Sequence, residues 1–450
     1  MNRMTCMKHK NIPFRSGKRA IMTTVLMAIV SIVMSGTKAR AGFSLEGYSF
    51  TLASIPWDWG ETANITNNGF VALAGEFSFD NYLLGYWDTG KDTVTYINRL
   101  PNYPRVNSSG IIMNEETAYN AKGEKFYAYP SSKMWDINDA GIAVGCYGSN
   151  NASVWESATA QPTLLPYPDN HTGTGRFHRI SNNGIIAGSA VSGGVPMPVM
   201  WNAERDFIPL PTVSGATLYN IAAINDAGVI AGNVQIVSDY WTITHAYVWD
   251  AGAEEVILTD LEAIAASALG DDETIHHGTV DGINESGILT GSLYINGTSQ
   301  SNQRGVMWVP KEGEAGYDLI DVTRLAKEAG LLVEGVGTDE GLTAILTVSD
   351  INDHNQIVGT GLLRILSERW VDETWVEVEG EDGEWYEVYI EGHYEPYYAN
   401  QQVAFLLNPG SSQVPEPGAT GAVAGVVALL AACAAMRRRP RRRQRGRGDL

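Results

Sequence analysis

Cysteine is nearly absent from this 450-residue chain, which has only three. Cys6 lies in a basic N-terminal stretch and Cys433 in a C-terminal apolar run, both interpreted below as signals. Cys146 is then the only thiol of the mature part, so an intramolecular disulfide is excluded there. We expect Cys146 to be a core residue rather than a nucleophile, because it stands beside a repeated apolar strand.

Basic residues are scarce as well. The chain has 31 Lys and Arg against 51 Asp and Glu, and the basic residues concentrate at the two ends. Residues 42–414 keep 15 Lys and Arg against 49 Asp and Glu, a formal net charge of −34. A domain with this charge repels nucleic acid and anionic lipid, so we predict that it binds neither.

Familiar catalytic motifs are also missing. The sequence has no G-x-S-x-G elbow, no P-loop, no HExxH and no paired C-x-x-C. The adjacent pair His276-His277 lies in an acidic stretch where a metal site is conceivable, but adjacent residues on a strand face opposite ways, which disfavours shared ligation. We therefore interpret the pair as part of a solvated loop. The runs starting at Asp136 and Asp350 resemble part of a calcium loop but lack its downstream Glu, which favours turn chemistry. We therefore predict no catalytic residue, no metal and no cofactor.

What the chain does have is a hairpin pattern repeated seven times, of the form Ile-Asn-Asp-x-Gly. Asn and Asp side chains can bond to their own backbone, and Gly can take the positive φ that closes the turn. In the last copy Asn355 replaces Gly, the usual second choice for that conformation. A glycine follows most turns and leaves room where backbones crowd. The copies begin at Ile65, Val106, Ile137, Ile180, Ile224, Ile283 and Ile351.

Each turn is followed by an apolar strand that ends in a large side chain, and then by one further strand. Four short strands in roughly 40 residues match one propeller blade. We interpret the repeated aromatics as core between blades rather than as a ligand platform. They are Trp87, Trp155, Trp201, Trp249 and Trp308, with Tyr129 and Leu407 in the matching places of copies two and seven.

The resulting prediction is an all-β propeller of six or seven four-stranded blades, with seven favoured over six. Copy two is short, which keeps six open. Copy seven lacks its last strand and residues 48–52 form an extra one, so the N-terminal strand should close the ring. Apolar spacing predicts short helices at 261–269 and 322–332.

A second domain feature is an aromatic and acidic insertion at 368–398, predicted to be a long hairpin within the last blade. We expect one face to carry the rings and the other the carboxylates. The candidate interaction residues are Trp375, Trp385, Tyr386 and Tyr389. The alternative is that the aromatic face packs on the propeller, since isolated hairpins are marginal in water.

Both ends of the sequence indicate sorting signals around a repeat domain of residues 42–413. Residues 1–41 contain no acidic residue. They include an apolar run that is too short for a comfortable membrane span and a small-x-small site at Ala39-Arg40-Ala41, and together these features predict a cleavable secretory signal. Residues 414–450 combine Pro415-Glu416-Pro417, an apolar segment at 421–436 and a basic cluster. A short span with a basic flank predicts a membrane-held tail with its arginines inside, namely Arg437, Arg438, Arg439, Arg441, Arg442 and Arg443.

That C-terminal order resembles the PEP-CTERM sorting signal of Gram-negative envelope proteins. The resemblance implies recognition by an exosortase, cleavage near Pro415–Pro417 and transfer to the envelope, the outer surface or the extracellular matrix. The repeated turns and apolar-Trp strands of residues 48–408 resemble the HAF-type extracellular repeats, which say little about activity.

The function predicted from the sequence is a non-catalytic, exported surface propeller that acts as a binding or scaffold module in an exopolysaccharide matrix. Its expected partners are the exosortase, extracellular polysaccharide or envelope proteins, and the membrane before processing. The alternative is an extracellular carbohydrate-active enzyme, a glycosidase or lyase, because one fold hosts many functions. Carboxylate pairs for such chemistry could lie anywhere among the acids, and the sequence selects none.

Overall fold

The computed structural model describes the repeat domain and neither of the predicted sorting signals. The described residues are 45, 48–53, 59–78, 81–98, 104–114, 117–120, 123–128, 132–148, 151–157, 160–173, 178–237, 242–253, 255–333, 341–371, 374–379, 385–390 and 393–409. The predicted signal peptide, the apolar segment 421–436, the Pro-Glu-Pro motif and the arginine cluster lie outside them. Among the described residues, no helix has the length and hydropathy to cross a membrane.

Seven antiparallel sheets follow one another as the blades of a propeller, which settles the count at seven. We call the strands of a blade A to D from the axis outwards. After strand β1 (Ser49–Leu52), each of the first six blades uses contiguous residues. Blade 1 has β2 (Trp59–Ile65), β3 (Phe70–Ser78), β4 (Asn81–Asp88) and β5 (Thr93–Asn98); blade 2 has β6 (Arg105–Val106), β7 (Ile112–Asn114), β8 (Thr117–Tyr119) and β9 (Lys125–Ala128); blade 3 has β10 (Ser132–Ile137), β11 (Ala143–Tyr147), β12 (Asn151–Trp155) and β13 (Thr163–Leu164).

Blade 4 differs from its neighbours because two short strands share its innermost position, and the next two blades are regular. Blade 4 has β14 (His171–Gly173) with β15 (Arg179–Ile180), then β16 (Ile186–Ser192), β17 (Val195–Trp201) and β18 (Phe207–Pro209); blade 5 has β19 (Ala216–Ile224), β20 (Val229–Val237), β21 (Thr242–Asp250) and β22 (Ile257–Asp260); blade 6 has β23 (Ile275–Ile283), β24 (Leu289–Ile295), β25 (Gln303–Pro310) and β26 (Tyr317–Asp321).

Blade 7 closes the ring as predicted. Its strands are β27 (Gly341–Ile351), β28 (Ile357–Val371) and, after a hairpin of β29 (Thr374–Glu379) and β30 (Trp385–Ile390), β31 (His393–Asn408). The outermost place is taken by β1, which pairs antiparallel with β31 from Ser49 opposite Asn408 to Leu52 opposite Phe405. The N-terminal strand therefore completes the last blade, and the sheet edge of an open array is removed.

The repeated turn folds for the local reasons expected from its residues. In blade 5 the Asn225 side chain accepts from the Val229 N–H at 2.9 Å, and the Gly228 N–H donates to the Asn225 carbonyl at 3.1 Å. Gly228 has a φ of +82°, and Asn355 takes the same region at +56° in the last blade. The A–B turn of each blade is thus closed by a residue that tolerates positive φ.

The large aromatic of strand C is buried between blades, as the sequence suggested. Trp87, Trp155, Trp201, Trp249 and Trp308 are each fully buried. In blade 2, however, Tyr119 faces Ile112 in the place that Trp249 holds opposite Ile230. The assignment of Tyr129 to that place was wrong, because strand C of this short blade begins sooner after the turn than in the other copies.

Two helices follow the outer strands of blades 5 and 6. They are α1 (Leu261–Ala268) and α2 (Val322–Glu328), close to the predicted ranges, with a short 3-10 helix at Gln300–Asn302. Asp260 caps α1 by accepting from the Glu262 and Ala263 N–H groups, and Asp321 caps α2 by accepting from the Arg324 N–H.

Candidate functional site

A cavity of about 170 Å³ lies on the propeller axis and is lined by the A–B turns and inner strands of the blades. The seven turns surround one mouth of this axial channel. We number the turn positions from the residue after the repeated Ile or Val, so that Asn225 is the first position of blade 5 and Asp226 the second. Two belts of hydrogen bonds run around the mouth at these positions.

The first belt consists of first-position side chains that reach the next blade. Each Asn amide donates to the backbone carbonyl of the same position in its neighbour. The bonds are Asn107 to Asn138 at 2.9 Å, Asn138 to Ser181 at 3.2 Å, Asn225 to Asn284 at 3.2 Å, Asn284 to Asn352 at 3.3 Å and Asn352 to Thr66 at 2.9 Å. The repeated Asn thus joins blades as well as shaping its own turn.

The second belt explains the acidic character of the mouth. The backbone N–H at the second position donates to the side chain at the same position of the next blade. Such bonds run from Ser108 to Asp139 at 2.7 Å, Asp139 to Asn182 at 2.9 Å, Asp226 to Glu285 at 3.0 Å, Glu285 to Asp353 at 2.8 Å and Asp353 to Asn67 at 2.9 Å. These carboxylates are satisfied by neighbouring backbone, which agrees with the turn interpretation of the runs at Asp136 and Asp350.

Electrostatic repulsion is nevertheless present in this belt. The Glu285 residue as a whole is exposed, but partial burial of its carboxyl group raises its pKa to about 7, with the Asp226 and Asp353 charges adding to the rise and the Asp226 N–H opposing it. Within the described residues, no group of three or more His, Cys, Asp and Glu side chains is arranged to hold a metal ion.

Charges of both signs line the channel one residue before the repeated Ile or Val. Asp350 accepts from the Ile65 N–H and Asp136 from the Ile180 N–H, both at 3.0 Å. Arg179 donates to the Ala222 carbonyl at 2.6 Å. The Asp350 residue as a whole is only half-buried, but neighbouring blades enclose its carboxyl group, and that burial raises its pKa to about 7. Each of these side chains is hydrogen-bonded to the backbone of a neighbouring blade, so the charged groups in the channel wall link adjacent blades.

One buried imidazole stands apart from these networks. His178 is fully buried beside Trp201, with 6.0 Å between ring centroids, and neither ring nitrogen has a hydrogen-bond partner in the part of the chain that the structure describes. Burial lowers its pKa to about 3, and the neighbouring Arg179 charge acts in the same direction. The folded protein therefore holds this ring neutral.

A carboxylate–imidazole pair lies beside α1. His245 Nδ1 is 2.8 Å from Glu262 Oε2, and this hydrogen bond raises the pKa of His245. The nearby pair His276-His277 is on strand β23, so its assignment to a loop was wrong. The two rings differ in exposure as alternation requires, and His277 stacks on Tyr294 at 4.1 Å. The carboxylate of Glu262 can hold the His245 imidazole in one orientation, which is the first requirement of acid–base chemistry.

The insertion of blade 7 forms a two-stranded arm. The ladder between β27 and β28 ends at Gly341 opposite Arg364, and β28 and β31 continue as a pair to Val371 opposite His393. The hairpin of β29 and β30 then forms a separate two-stranded sheet with the same pairing offset. At its base Leu366 is 51 % exposed.

The register of this arm changes the expected distribution of its residues. In the β29–β30 hairpin Trp375 is opposite Tyr389, Glu377 is opposite Glu387, and Glu379 is opposite Trp385, so these six positions share one face. The other face holds Thr374, Val376, Val378, Tyr386, Val388 and Ile390. The prediction of an aromatic face and an acidic face was wrong. The register separates a mixed aromatic and acidic face from a mainly aliphatic one.

The comparisons with known proteins bear on the fold alone. No protein-family model matches the chain, and no curated protein matches it. It is similar in structure to a chain of the mitotic checkpoint complex, at 11 % identity and a TM-score of 0.41 over 73 % of this chain and 96 % of that one. It is also similar to the Dos1 propeller, at 12 % identity and a TM-score of 0.35 over 71 % of this chain and 83 % of that one. A third similar structure is an oligogalacturonate lyase in complex with manganese, at 10 % identity and a TM-score of 0.34 over 81 % of this chain and 94 % of that one.

Proposed function

We propose that this chain is an exported, non-catalytic propeller that works as a binding or scaffold module of the cell envelope, associated with extracellular polysaccharide and sorted by an exosortase. The sorting part of the proposal rests on the ordered sequence signals at the two ends. The binding part rests on one structural observation, the two-stranded arm of blade 7.

The arm has little intrinsic stability of its own, which favours a role in contacting another molecule. Two-stranded ribbons are marginal in water unless a third strand or another surface supports them. Beyond Arg364, strands β28 and β31 have no third strand among the described residues. A ribbon of this kind offers two faces and two edges to another molecule.

The mixed face of the hairpin has the chemistry that fits a polysaccharide. Aromatic rings offer apolar surface of the kind that stacks against a flat sugar face, and carboxylates accept hydrogen bonds from hydroxyl groups. Trp375 and Tyr389 form one cross-strand pair and Trp385 another with Glu379, so both residue types recur along this face. Glu377 and Glu387 are opposite each other in the register, and like charges at such positions are destabilising in general.

The test compares the two faces of the hairpin. Replacing Trp375 and Trp385 together by Ser should abolish retention on immobilised native exopolysaccharide and leave the urea midpoint of the propeller unchanged. Tyr386→Ser, on the opposite face, is the matched control and should retain binding. Unchanged retention by the double variant would contradict the proposal, and a large fall in stability would assign these rings to the core.

A further inference from the structure

A second cavity, of about 320 Å³, opens at the seam where blade 7 meets blade 1. Four loops form this seam cleft: the A–B turns of both blades at 67–69 and 354–356, the C–D turn of blade 1 at 89–90, and the end of β31 at 408–409. Its volume lies at the lower end of the range for small-molecule sites.

Apart from that of Pro409, the side chains that line the seam cleft are polar and carry no fixed charge. These polar groups are four amides, one hydroxyl and one imidazole, in a domain that is otherwise strongly acidic. These side chains are Asn67, Asn68, Gln356, Asn408, Thr89 and His354. Amides and hydroxyls both donate and accept hydrogen bonds, which suits a ligand whose groups do the same.

The walls of the cleft are held in place by their own hydrogen bonds. Gln356 donates to the Asn408 side chain at 2.7 Å and accepts from Asn352 at 2.7 Å. Asn67 exchanges two hydrogen bonds with Asp353. The cleft is thus preformed, which lowers the entropy that a ligand must offset.

One group in the lining is a buried imidazole nitrogen. The Nδ1 atom of His354 makes no hydrogen bond to any of the described residues. A buried polar atom left unpaired is costly, and a ligand hydroxyl can satisfy an imidazole nitrogen in either tautomer because it donates and accepts.

Blade 7 departs from the repeat at this place and no other blade matches it. Gln356 is at the fifth turn position, where the other six blades have Phe70, Ile111, Ile142, Ile185, Val229 and Ile288. Three successive residues, 354 to 356, therefore differ from the repeated pattern at the junction between the last blade and the first. The polarity of the cleft is a local feature of the sequence rather than a property of every blade junction.

We propose that the seam cleft binds one uncharged hexose unit of a polysaccharide, with the amides and His354 bonding to its hydroxyl groups. The inference rests on the proposed role in polysaccharide binding and names the sugar class. Asp353 lies next to the cleft, 2.7 Å from the Asn67 amide, so an anionic sugar would be repelled.

The test measures saturation-transfer NMR signals of D-glucose, D-galactose and D-mannose with the full chain, against D-glucuronate and D-galacturonate. At least one neutral hexose should bind and both uronates should not. Gln356→Val places in blade 7 the residue that blade 5 has at this position, so it should fold. Gly90→Leu fills the cleft from a position where the nearest other side-chain atom would be 3.5 Å from the new Cβ. Each should weaken binding about tenfold or more, the equivalent of one lost hydrogen bond.

Ser286→Ala, at the turn position of blade 6 that corresponds to His354, is the control and should bind as the parent does. No binding of any neutral hexose, binding that survives both cleft variants, or equal binding of uronates would overturn the proposal. The Trp375 and Trp385 double variant separates the seam cleft from the arm. If this variant loses polysaccharide retention but still binds hexose, the two sites are supported independently. If the parent chain binds hexose but is not retained on polysaccharide, only the proposed function is refuted.

Discussion

Removal of the N-terminal strand should destabilise the propeller severely. Strand β1 supplies a four-residue ladder to β31, and the Ala53 N–H extends it by donating to the Ala404 carbonyl at 3.1 Å. Phe50 stacks on Phe405 with 5.4 Å between ring centroids. Leu45 is buried in the same core, and Tyr48 and Leu52 pack against it.

The expected loss follows from these contacts. Burial of Leu45 contributes about 2 kcal/mol, and partial burial of Tyr48, Phe50 and Leu52 about 1 kcal/mol each. The exposed edge of β31 loses hydrogen bonds at about 1 kcal/mol each. The side chains alone therefore contribute about 5 kcal/mol, before the edge hydrogen bonds are added, and that is a large part of the roughly 5–15 kcal/mol that holds a typical domain folded.

The measurement is the urea midpoint of the chain lacking residues 42–55 against the full chain. Tyr48→Phe is the control, since it keeps the ring and removes the hydroxyl that donates to the Asn355 carbonyl at 3.2 Å, and it should cost about 1 kcal/mol. A synthetic peptide of residues 42–55 added in excess should restore part of the midpoint. A truncated chain that unfolds at the midpoint of the full chain would refute closure by β1 as the source of this stability.

Three further predictions concern a buried histidine, a glycine at a strand contact and the sorting motif. Between pH about 6.5 and about 3 the unfolded chain binds a proton on His178 that the folded chain excludes, so this residue should lower the free energy of unfolding by about 1.4 kcal/mol per pH unit as the pH falls. The urea midpoints of the parent and His178→Phe should therefore converge or cross over that pH range. A difference between the two midpoints that stays constant with pH would contradict this. A Cβ at Gly291 would collide with the Thr279 carbonyl oxygen, so Gly291→Ala should cost about 3 kcal/mol or more in urea unfolding, whereas Gly90→Ala should cost less than about 1 kcal/mol; similar midpoints would show that the backbones can separate. Replacing Pro415, Glu416 and Pro417 by Ala should leave the tail uncleaved in the inner membrane of an exosortase-bearing host, as read by fractionation and immunoblotting, and unchanged processing would remove the argument for that route.

The repeat could be predicted from sequence because each of its landmarks has a local cause. A positive φ at the turn demands Gly or Asn, and Gly145, Gly291 and Gly359 each lie where a Cβ would meet a backbone oxygen of the neighbouring strand. Blade 2 resisted prediction because its strands have two to four residues. At that length the apolar pattern is too short to place Tyr119, and the spacing of the other copies misled.

The candidate sites were less predictable for a different reason. Alternation in the hairpin was recognised, but Trp375 and Glu377 are two residues apart and therefore share a face whatever the register. The bonds between blades depend on seven turns meeting around an axis, which no single copy reveals. The seam cleft had one readable signal, the polar Gln356 in a position that is apolar in every other copy.

The pairing of β1 with β31 joins residues that are 359 positions apart in the chain, Ser49 and Asn408. The first strand to be synthesised must therefore wait for the last, while blades 1 to 6 can each form from contiguous residues as they emerge. Long-range pairing is slow because loop closure is unfavourable before the contacts form. Until residue 408 is available, the inner strands of blade 7 have an unpaired edge and blade 1 lacks one neighbour. Closure of the ring thus requires the whole repeat domain, and we expect the open edge to expose the chain to aggregation and proteolysis until closure occurs.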